Sequence, residues 1–391
     1  MPQAYSSPKT SFMRVMQSLQ LMGGTPRLCG AGSAPSWIQI MPLTEDTLSC
    51  LGAEVPLPKI DRALKELWDS DVEKTRASLI NFAIYSEDPE SLAENNELLG
   101  KITAEHACRA LLITCLPEAR PQRARAWINA LCRPYQGKQI VCSEQISFVL
   151  EGGDAAQVQN IVFAHLDSDL PLIVWWQGGL TKNFEERFYS RIDTLIIDSS
   201  TWADPRREFA GLTAAKAAET ADFDVRDLSW TRSHFLRTAL ANSFQDVKAR
   251  AHLPQIETIE ITHAKGQRCA ALMLAGWIAL RLGAALDNQQ SGLVFARPGG
   301  QSLHVVLQES DSGCALQSLR LTAPCLEMAI LRDGASAFVR THATCEGHSH
   351  EELLPADVVS AADLISEQLS RTGGNTHYSS VLPLMESMLV R

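Results

Sequence analysis

Apolar residues recur along the chain with two periods, which together predict alternating helices and strands in its first half. Apolar positions three and four residues apart indicate a helix, whereas short continuous apolar runs indicate buried strands. The helical pattern covers Val55–Asp69, Ser91–His106, Asp154–His165, Phe184–Tyr189, Pro205–Ala221 and Asp224–Phe244. The strand pattern covers Ala77–Tyr85, Ala107–Leu116, Ala124–Cys132, Gln139–Leu150, Pro171–Trp176 and Asp193–Asp198. Strands and helices that alternate at this spacing are typical of parallel βα units.

The second half has a different pattern, in which strands follow one another closely. It opens with a predicted strand, Ile256–Thr262, and an apolar helix, Arg268–Leu282. The next strand-like runs are Gly292–Ala296, Ser302–Gln308, Ala315–Leu321, Leu326–Leu331 and Ala335–Thr341. Short turns separate these runs, which predicts an antiparallel meander. Two helices, near Pro355–Arg371 and Tyr378–Val390, are predicted to finish the chain.

The pattern therefore predicts an α/β protein in three parts. Residues 1–40 show no sustained periodicity, and residues 1–54 are interpreted as a poorly structured leader, with Met41 as a candidate true start. Residues 55–250 are predicted to form an N-terminal α/β domain with a mixed sheet and parallel βα units. Residues 251–391 are predicted to form a C-terminal α+β domain that contains the meander, and the break lies near Ala249–Pro254.

Composition narrows the classes of partner. The chain of 391 residues carries 35 Lys and Arg against 45 Asp and Glu, a formal net charge of −10. An acidic chain is a poor match for nucleic acid or an anionic membrane, which attract basic surfaces. The longest apolar segment, Cys269–Leu282, is too short to span a bilayer. Ten cysteines without a CxxC motif, most of them in apolar runs, predict reduced thiols in a cytoplasmic protein.

Catalytic motifs are weak in this sequence. The turn Gln177–Gly179 follows a predicted strand and is either an ordinary turn or a place where a ligand approaches the backbone. The run Asp198–Ser200, with His234 elsewhere, supplies the residue types of a hydrolase, but a triad is recognised only in space. The His- and Cys-containing run His342–Glu352 matches no zinc spacing and is interpreted as a solvated loop. These residues alone leave the function open.

Aromatic residues mark a further candidate region. Trp175 and Trp176 end a predicted strand, and Trp230, Thr231 and Arg232 lie together later in the chain. Adjacent strand residues point to opposite faces, so both faces of the sheet must be covered near the tryptophan pair. Core packing is one interpretation. The other is a partner or ligand surface, because Trp and Arg are enriched at interface hot spots.

Several runs in a fixed order resemble a known family. They are TRASLINFAIYS (75–86), HACRALLITC (106–115), RARAWINALC (123–132), VCSEQISF (141–148), LPLIVWWQGG (170–179), IDTLIIDSS (192–200), DLSWTRSHFLRTALANSF (227–244) and LMLAGWIALRLG (272–283). The series resembles the OpcA family, the glucose-6-phosphate dehydrogenase assembly proteins of cyanobacteria and actinobacteria. The resemblance covers roughly Leu57 to Gly283, and the C-terminal meander more loosely.

The resemblance implies a non-enzymatic partner of the glucose-6-phosphate dehydrogenase oligomer, which promotes its assembly or its active form in the oxidative pentose phosphate pathway. It implies no catalytic residue, no cofactor and no metal. The distinctive cluster in the matching motifs, a candidate partner or ligand surface, is Trp175, Trp176, Trp230, Thr231 and Arg232. Thioredoxin control of C-terminal cysteines in cyanobacterial members makes Cys314, Cys325 and Cys345 weak redox candidates. The alternatives are a sugar-phosphate or nucleotide sensor that uses the crevice after PLIVWWQGG and, last, a hydrolase.

Overall fold

Two β-sheets organise the protein in a computed structural model that describes residues 43–69, 74–135, 139–220, 222–311, 313–333, 336–356, 360–371 and 375–391. Most of the predicted leader, with its candidate start at Met41, lies outside these residues. The end of the predicted leader has regular structure, because Glu45–Ser49 form helix α1 and Ala53–Val55 form strand β1. Residues from Met41 onwards cluster as one unit.

The first sheet contains nine strands among the described residues. They are β1 (Ala53–Val55), β2 (Lys74–Arg76), β3 (Asn81–Ser86), β4 (Arg109–Leu116), β5 (Arg123–Tyr135), β6 (Gln139–Glu151), β7 (Leu172–Trp176), β8 (Thr194–Ile197) and β9 (Asp224–Asp227). Their order is β1-β5-β6-β4-β3-β7-β8-β9, with β2 paired to β6. All neighbours from β6 to β9 are parallel, whereas β5 is antiparallel to both β6 and β1. The predicted mixed sheet with parallel units is confirmed.

The strand order reverses at the centre of this sheet. From β3 the chain proceeds through β4 to β6 on one side, then returns to place β7 beside β3 and continues to β8 and β9 on the other. This is the order of a doubly wound α/β sheet, in which the connections leave β3 and β7 in opposite directions. A crevice is therefore expected outside the carboxyl ends of β3 and β7, where Tyr85 lies opposite Trp176.

The second sheet contains eight strands among the described residues. They are β10 (Thr258–Ala264), β11 (Ala285–Leu286), β12 (Leu293–Ala296), β13 (Ser302–Ser310), β14 (Leu316–Ala323), β15 (Leu326–Arg332), β16 (Phe338–Cys345) and β17 (His348–Pro355). Their order is β11-β12-β13-β10-β14-β15-β16-β17. The β10–β13 pair is parallel, and β14 to β17 form an antiparallel meander, as the sequence predicts.

Helices cover both faces of the first sheet and one face of the second. Besides α1 they are α2 (Ile60–Asp69), α3 (Leu92–Glu105), α4 (Ala155–Gln157), α5 (Glu186–Tyr189), α6 (Pro205–Lys216), α7 (Leu228–Arg232), α8 (His234–Ser243), α9 (Val247–Ala251), α10 (Arg268–Arg281), α11 (Ala361–Ser370) and α12 (Thr376–Leu389). A π-helical segment, Val158–Val162, and a 3-10 turn, Phe163–His165, continue α4. The apolar helix α10 packs against β10, β13, α7 and α12, which explains why it is apolar nearly all round.

The prediction of one long helix over Asp224–Phe244 is wrong. Residues Asp224–Asp227 form β9, the last strand of the first sheet, and two helices follow with a break at Ser233. The Asp227 side chain accepts a hydrogen bond from the Ser229 backbone and so caps α7. A strand of four residues, three of them charged, has no apolar period for a sequence pattern to detect.

The prediction of a solvated loop over His342–Glu352 is also wrong. These residues lie in β16 and β17, which form a hairpin. Its two-residue turn, Glu346–Gly347, has positive φ angles at both positions, the backbone that a tight hairpin needs. Because β17 is the edge strand and most of its side chains are exposed, its polar composition resembles that of a loop.

Two cysteines depart from the prediction of reduced thiols. Cys132 and Cys142 face each other in the β5–β6 hairpin and form a disulfide. The strand register places them together, and the sequence separation alone does not reveal it. The other cysteines in the described ranges are free. No helix in those ranges has the length and apolar character needed to cross a membrane.

Candidate functional site

The crevice at the carboxyl ends of β3 and β7 is filled by the protein's own polar side chains. Glu87, just after β3, accepts hydrogen bonds from Tyr85 at 2.8 Å, from Thr181 at 2.6 Å and from Asn183 at 2.9 Å. Asn183 also donates to the Tyr85 hydroxyl at 3.0 Å. Thr181 and Asn183, which follow β7, thus hold the Glu87 carboxylate, which follows β3. These hydrogen bonds cross the crevice in which doubly wound sheets bind nucleotides.

A second bridge closes the same crevice. Asn95 on α3 and Gln177 after β7 exchange two amide hydrogen bonds, at 2.8 and 2.7 Å. The turn between β3 and α3 carries Asp88, whose side chain accepts from the Glu90 backbone. In dinucleotide-binding sheets this turn holds a pyrophosphate on glycine backbone and a helix N-terminus. The three acidic residues of this turn, Glu87, Asp88 and Glu90, would repel a phosphate.

The turn Gln177–Gly179 is an internal contact rather than an open ligand cradle. The Trp176 indole donates to the Gly179 carbonyl at 2.9 Å, and the Trp202 indole donates to the Gly178 carbonyl at 2.8 Å. A Cβ added at Gly179 would lie 3.0 Å from the Glu208 carboxylate. Glycine is needed at position 179 because the Glu208 side chain approaches it closely. The turn is therefore occupied by contacts within the protein, which weakens the sensor alternative that was based on this crevice.

A second polar cluster lies at the ends of β8 and β9. Arg232 binds Asp198 with two parallel hydrogen bonds, at 2.8 and 2.7 Å, and Ser200 donates to the same carboxylate at 2.6 Å. Burial raises the pKa of Asp198, but the hydrogen bonds and charge of Arg232 outweigh it, so the net pKa lies below its usual value. This is a largely buried, bidentate ion pair in which both charges are compensated.

Asp227 is fully buried beside that pair. One carboxyl oxygen accepts from the backbone of Ser199 at 3.2 Å and of Ser229 at 2.8 Å, whereas the other has no hydrogen-bond partner among the described residues. Burial, with a smaller effect from the Asp198 charge, raises the pKa of Asp227 to about 7. This carboxyl therefore keeps its proton more readily than an ordinary aspartate, which lowers the cost of burying it.

The residues of the hydrolase alternative do not come together. His234 lies beside Arg371, with 3.4 Å between the guanidinium and the ring nitrogen Nδ1, and stacks edge-on against Phe235. In the described part of the chain it forms no hydrogen bond with Ser199 or Ser200. The same part of the chain contains no group of three His, Cys, Asp or Glu side chains that could hold a metal ion.

The five candidate surface residues lie mostly inside the protein. Trp175 and Trp176 face opposite sides of the first sheet, in two separate apolar clusters, as strand geometry requires. Trp230 is 1% exposed and Thr231 is 5% exposed. Arg232 is partly accessible but is engaged by Asp198. These contacts match the core-packing interpretation for the three tryptophans and Thr231, and a partner or ligand surface at this cluster stays a prediction.

The three redox candidates separate into two places. Cys325 precedes β15, and its carbonyl accepts from the Glu346 backbone, while Cys345 lies opposite Leu326. Cys325 and Cys345 are therefore close neighbours. The Cys314 thiol instead lies 3.1 Å from the Leu316 carbonyl. All three are free in the structure.

Sequence reasoning missed Glu87 and Asn183, which close the crevice, and Arg237, which lies in the DLSWTRSHFLRTALANSF run. The usable signal for the crevice was the acidic turn after the first predicted strand, where a nucleotide-binding sheet would carry glycines. Arg237 gives a weaker signal, because arginine is common on helices. Only the three-dimensional structure shows that no carboxylate among the described residues pairs with it.

Curated relatives match part of the chain. An OxPP cycle protein OpcA of a Synechocystis species is 27% identical over 194 residues, which are 48% of this chain and 40% of that protein. Another OxPP cycle protein OpcA, from Synechococcus elongatus, is 29% identical over 189 residues, which are 46% of this chain and 41% of that protein. The chain therefore matches less than half the length of these relatives.

Solved structures align with most of the chain at low sequence identity. A 3-ketoreductase from Actinomadura kijaniata, in complex with NADP and TDP-benzene, aligns with 80% of this chain and 95% of its own at 11% identity and a TM-score of 0.45. An oxidoreductase domain protein from Kribbella flavida aligns with 80% of this chain and 96% of its own at 7% identity and a TM-score of 0.46.

The topology defines a doubly wound α/β protein in which the protein's own side chains fill the crevice at the centre of the first sheet. Two family models match it, and together they span most of the chain. Residues 100–214 match the glucose-6-phosphate dehydrogenase subunit N-terminal domain, and residues 224–382 match the corresponding C-terminal domain. The chain belongs to the OpcA family of glucose-6-phosphate dehydrogenase assembly proteins.

Proposed function

We propose that this chain is a non-catalytic partner of the glucose-6-phosphate dehydrogenase oligomer, which it helps to assemble or holds in its active form. The main support is the pair of family models, whose descriptions name that dehydrogenase. The filled crevice supports the non-catalytic part, because the acidic turn and the Glu87 hydrogen bonds occupy the place of a dinucleotide. The chain would act where the dehydrogenase acts, in the oxidative pentose phosphate pathway of the cytoplasm.

An activator must bind the active conformation of its partner more tightly than the inactive one. A tenfold shift between the two conformations requires about 1.4 kcal/mol of differential binding. A modest protein interface supplies that amount, and no chemistry by the activator is needed. The proposal therefore predicts a change in the kinetics of the dehydrogenase that saturates once its binding sites are filled.

The test is the initial rate of the organism's own dehydrogenase across glucose 6-phosphate concentrations, with and without this protein. We expect a lower KM or a higher kcat that saturates with added protein, and co-sedimentation of the two proteins at micromolar concentration. Serum albumin at the same mass concentration controls for crowding. Co-sedimentation without a kinetic change would restrict the role to assembly, and failure of both measurements would overturn the proposal.

A further inference from the structure

Basic side chains on α8, α10 and α12, and one just after α11, gather near Trp230 and Trp277. Arg237 on α8 places its guanidinium carbon 3.8 Å from the Trp230 ring centroid and 6.0 Å from that of Trp277. Arg281 ends α10 and hydrogen-bonds His377 in the first turn of α12. Arg371, just after α11, lies beside His234. His234 lies about one turn before Arg237 on α8, and Trp277 lies about one turn before Arg281 on α10, so the approach of Arg237 to Trp277 places the five groups in one neighbourhood.

This cluster is short of negative charge. Glu367 binds Arg371, with 2.9 Å to its Nε atom. Among the described residues no carboxylate pairs with Arg237 or Arg281, and Arg237 donates only to the Ser233 hydroxyl at 2.9 Å and the Trp230 carbonyl at 3.5 Å. Three guanidinium groups thus share one carboxylate, which leaves two positive charges uncompensated in a chain whose net charge is −10.

Two arginines use histidine nitrogens where a carboxylate would normally stand. A guanidinium can only donate hydrogen bonds, so Nδ1 of His377 must accept, and that imidazole is neutral. The same holds for Nδ1 of His234 beside Arg371. Burial and the neighbouring arginines lower the pKa of both histidines, and burial with Arg371 lowers the pKa of Arg237 to about 9. The cluster therefore holds its positive charge with Glu367 as its one carboxylate among the described residues, and an external anion would compensate the remaining charge.

An apolar groove reaches this cluster at Arg281. It has a volume of about 390 Å³ and lies between α8, the turn after α9 and the end of α10. Its walls include Phe244, Leu253 and Leu282, and both Trp277 and Arg281 line it. Arg281 thus belongs to the groove and to the basic cluster. The volume is in the range of small-molecule sites, which combine apolar walls with a few placed polar groups.

We propose that Arg237, Arg281 and Arg371 form a binding site for a phosphate monoester whose apolar or aromatic body lies in the groove along Trp277. A phosphate monoester carries between one and two negative charges at neutral pH, which matches the uncompensated charge of the cluster. Guanidinium groups bind phosphate oxygens through paired hydrogen bonds. This inference goes beyond the proposed function, because it concerns the chain alone and is tested without the dehydrogenase.

The test is isothermal titration of the full chain at constant ionic strength with three probes. Inorganic phosphate represents the head group, benzyl alcohol represents the body, and phenyl phosphate combines them. We expect phenyl phosphate to bind most tightly, phosphate more weakly and benzyl alcohol most weakly. Absence of saturable binding by either phosphate would overturn the site, and equal affinity for phosphate and phenyl phosphate would overturn the role of the groove.

Matched variants locate the binding. Arg281→Gln should weaken phenyl phosphate binding by about tenfold or more, because it removes a charge-assisted hydrogen bond. Arg268→Gln makes the same charge change at the other end of α10 and should leave the affinity within about twofold. An equal loss in both variants would show a general charge effect and overturn the proposal. Arg237→Lys keeps the charge, and a loss in this variant with an unchanged unfolding midpoint would identify the guanidinium geometry as the cause.

Discussion

Arg232 and Arg237 stand close together in sequence, yet their environments are opposite. Arg232 meets Asp198 in a bidentate, largely buried pair at the ends of the parallel strands, where each charge has its counterpart. Arg237 lies over Trp230 with only a hydroxyl and a carbonyl as acceptors. The paired Arg232 stabilises the contact between two segments of the fold. Arg237 has no carboxylate partner among the described residues, so its guanidinium can still bind an anion.

The same contrast in charge pairing separates two regions of the molecule. At the carboxyl ends of β3 and β7, where doubly wound proteins bind nucleotides, the hydrogen bonds of Glu87 and Asn95 are met internally. Around α8, α10 and α12, no carboxylate among the described residues pairs with Arg237 or Arg281. The usual site of this topology is filled, whereas arginines elsewhere lack a carboxylate partner among the described residues. Binding capacity is therefore better judged from unpaired groups than from topology.

The largest expected effect comes from breaking the matched pair. Arg232→Met leaves the buried Asp198 carboxylate without its counter-charge and next to Asp227, so we expect a loss of about 3–5 kcal/mol in the free energy of unfolding. Urea unfolding measures this loss. Arg62→Met is the matched control, because its pair with Glu66 is exposed on α2 and its loss should change the free energy of unfolding little.

The double variant Arg232→Met with Asp198→Asn sharpens this result. Removing both charges should recover part of the lost free energy, because the uncompensated carboxylate, and not the missing attraction, causes most of the damage. Equal losses in the single and double variants would show instead that Arg232 acts through packing.

The next effect is a pH dependence caused by Asp227. Burial, and then the Asp198 charge, raise the pKa of Asp227 from an ordinary value of 3.8 to about 7 in the folded protein. Between these values the folded state holds a proton that the unfolded state has released, so stability falls as the pH rises towards 7. Its contribution is fully present in acid and lost at about neutral pH.

Asp227→Asn removes this titration while keeping an oxygen for the Ser199 and Ser229 backbones. We expect the difference in free energy of unfolding, variant minus parent, to rise by up to about 1.4 kcal/mol per pH unit from pH 5 to pH 7. Urea unfolding at a series of pH values measures it. Parallel pH profiles for the two proteins would contradict a raised pKa at this position.

A smaller effect is expected from the unmatched cluster. Arg281 has no carboxylate partner among the described residues and faces other positive groups, so Arg281→Gln should leave the free energy of unfolding within about 0.5 kcal/mol, or raise it slightly. The thermal midpoint and urea unfolding both report this. A loss above about 2 kcal/mol would place Arg281 with Arg232 as a structural residue and erase the contrast between the two regions.

Much of the fold could be predicted from the sequence because buried parallel strands are continuous apolar runs. The strands over Leu172–Trp176 and Thr194–Ile197 are such runs. The structure differs from the prediction where burial does not leave that trace. Strand β9 is short and charged, and β17 is an exposed edge. The strand order, and with it the central crevice, depends on contacts between distant segments that periodicity does not encode.

The candidate sites were less predictable for a related reason. Tryptophan occurs both in protein cores and at interfaces, so residue type alone does not place Trp176 or Trp230, which the structure buries. Arg232 and Arg237 are indistinguishable in sequence, because only the fold brings Asp198 to one of them. What identifies a site here is the partner of each charge, and partners are a tertiary property.

The smallest effect on stability is expected from the exposed thiol of the second sheet, and it extends the comparison to cysteine. Cys325 is exposed, whereas Cys108 and Cys115 are buried on and beside β4. Burial raises the pKa of both of those thiols to about 12, which leaves roughly a thousandfold less thiolate than an ordinary thiol provides at neutral pH.

Iodoacetamide should therefore modify Cys325 in the native protein and the two buried thiols only after unfolding in urea, and peptide mass spectrometry identifies the modified residues. Because the Cys325 side chain contributes little buried area, its modification should not change the unfolding midpoint measurably. Native labelling of Cys115 at the rate of Cys325 would show that the first sheet opens readily, and the filled crevice would then have to be regarded as a closed state of a working one.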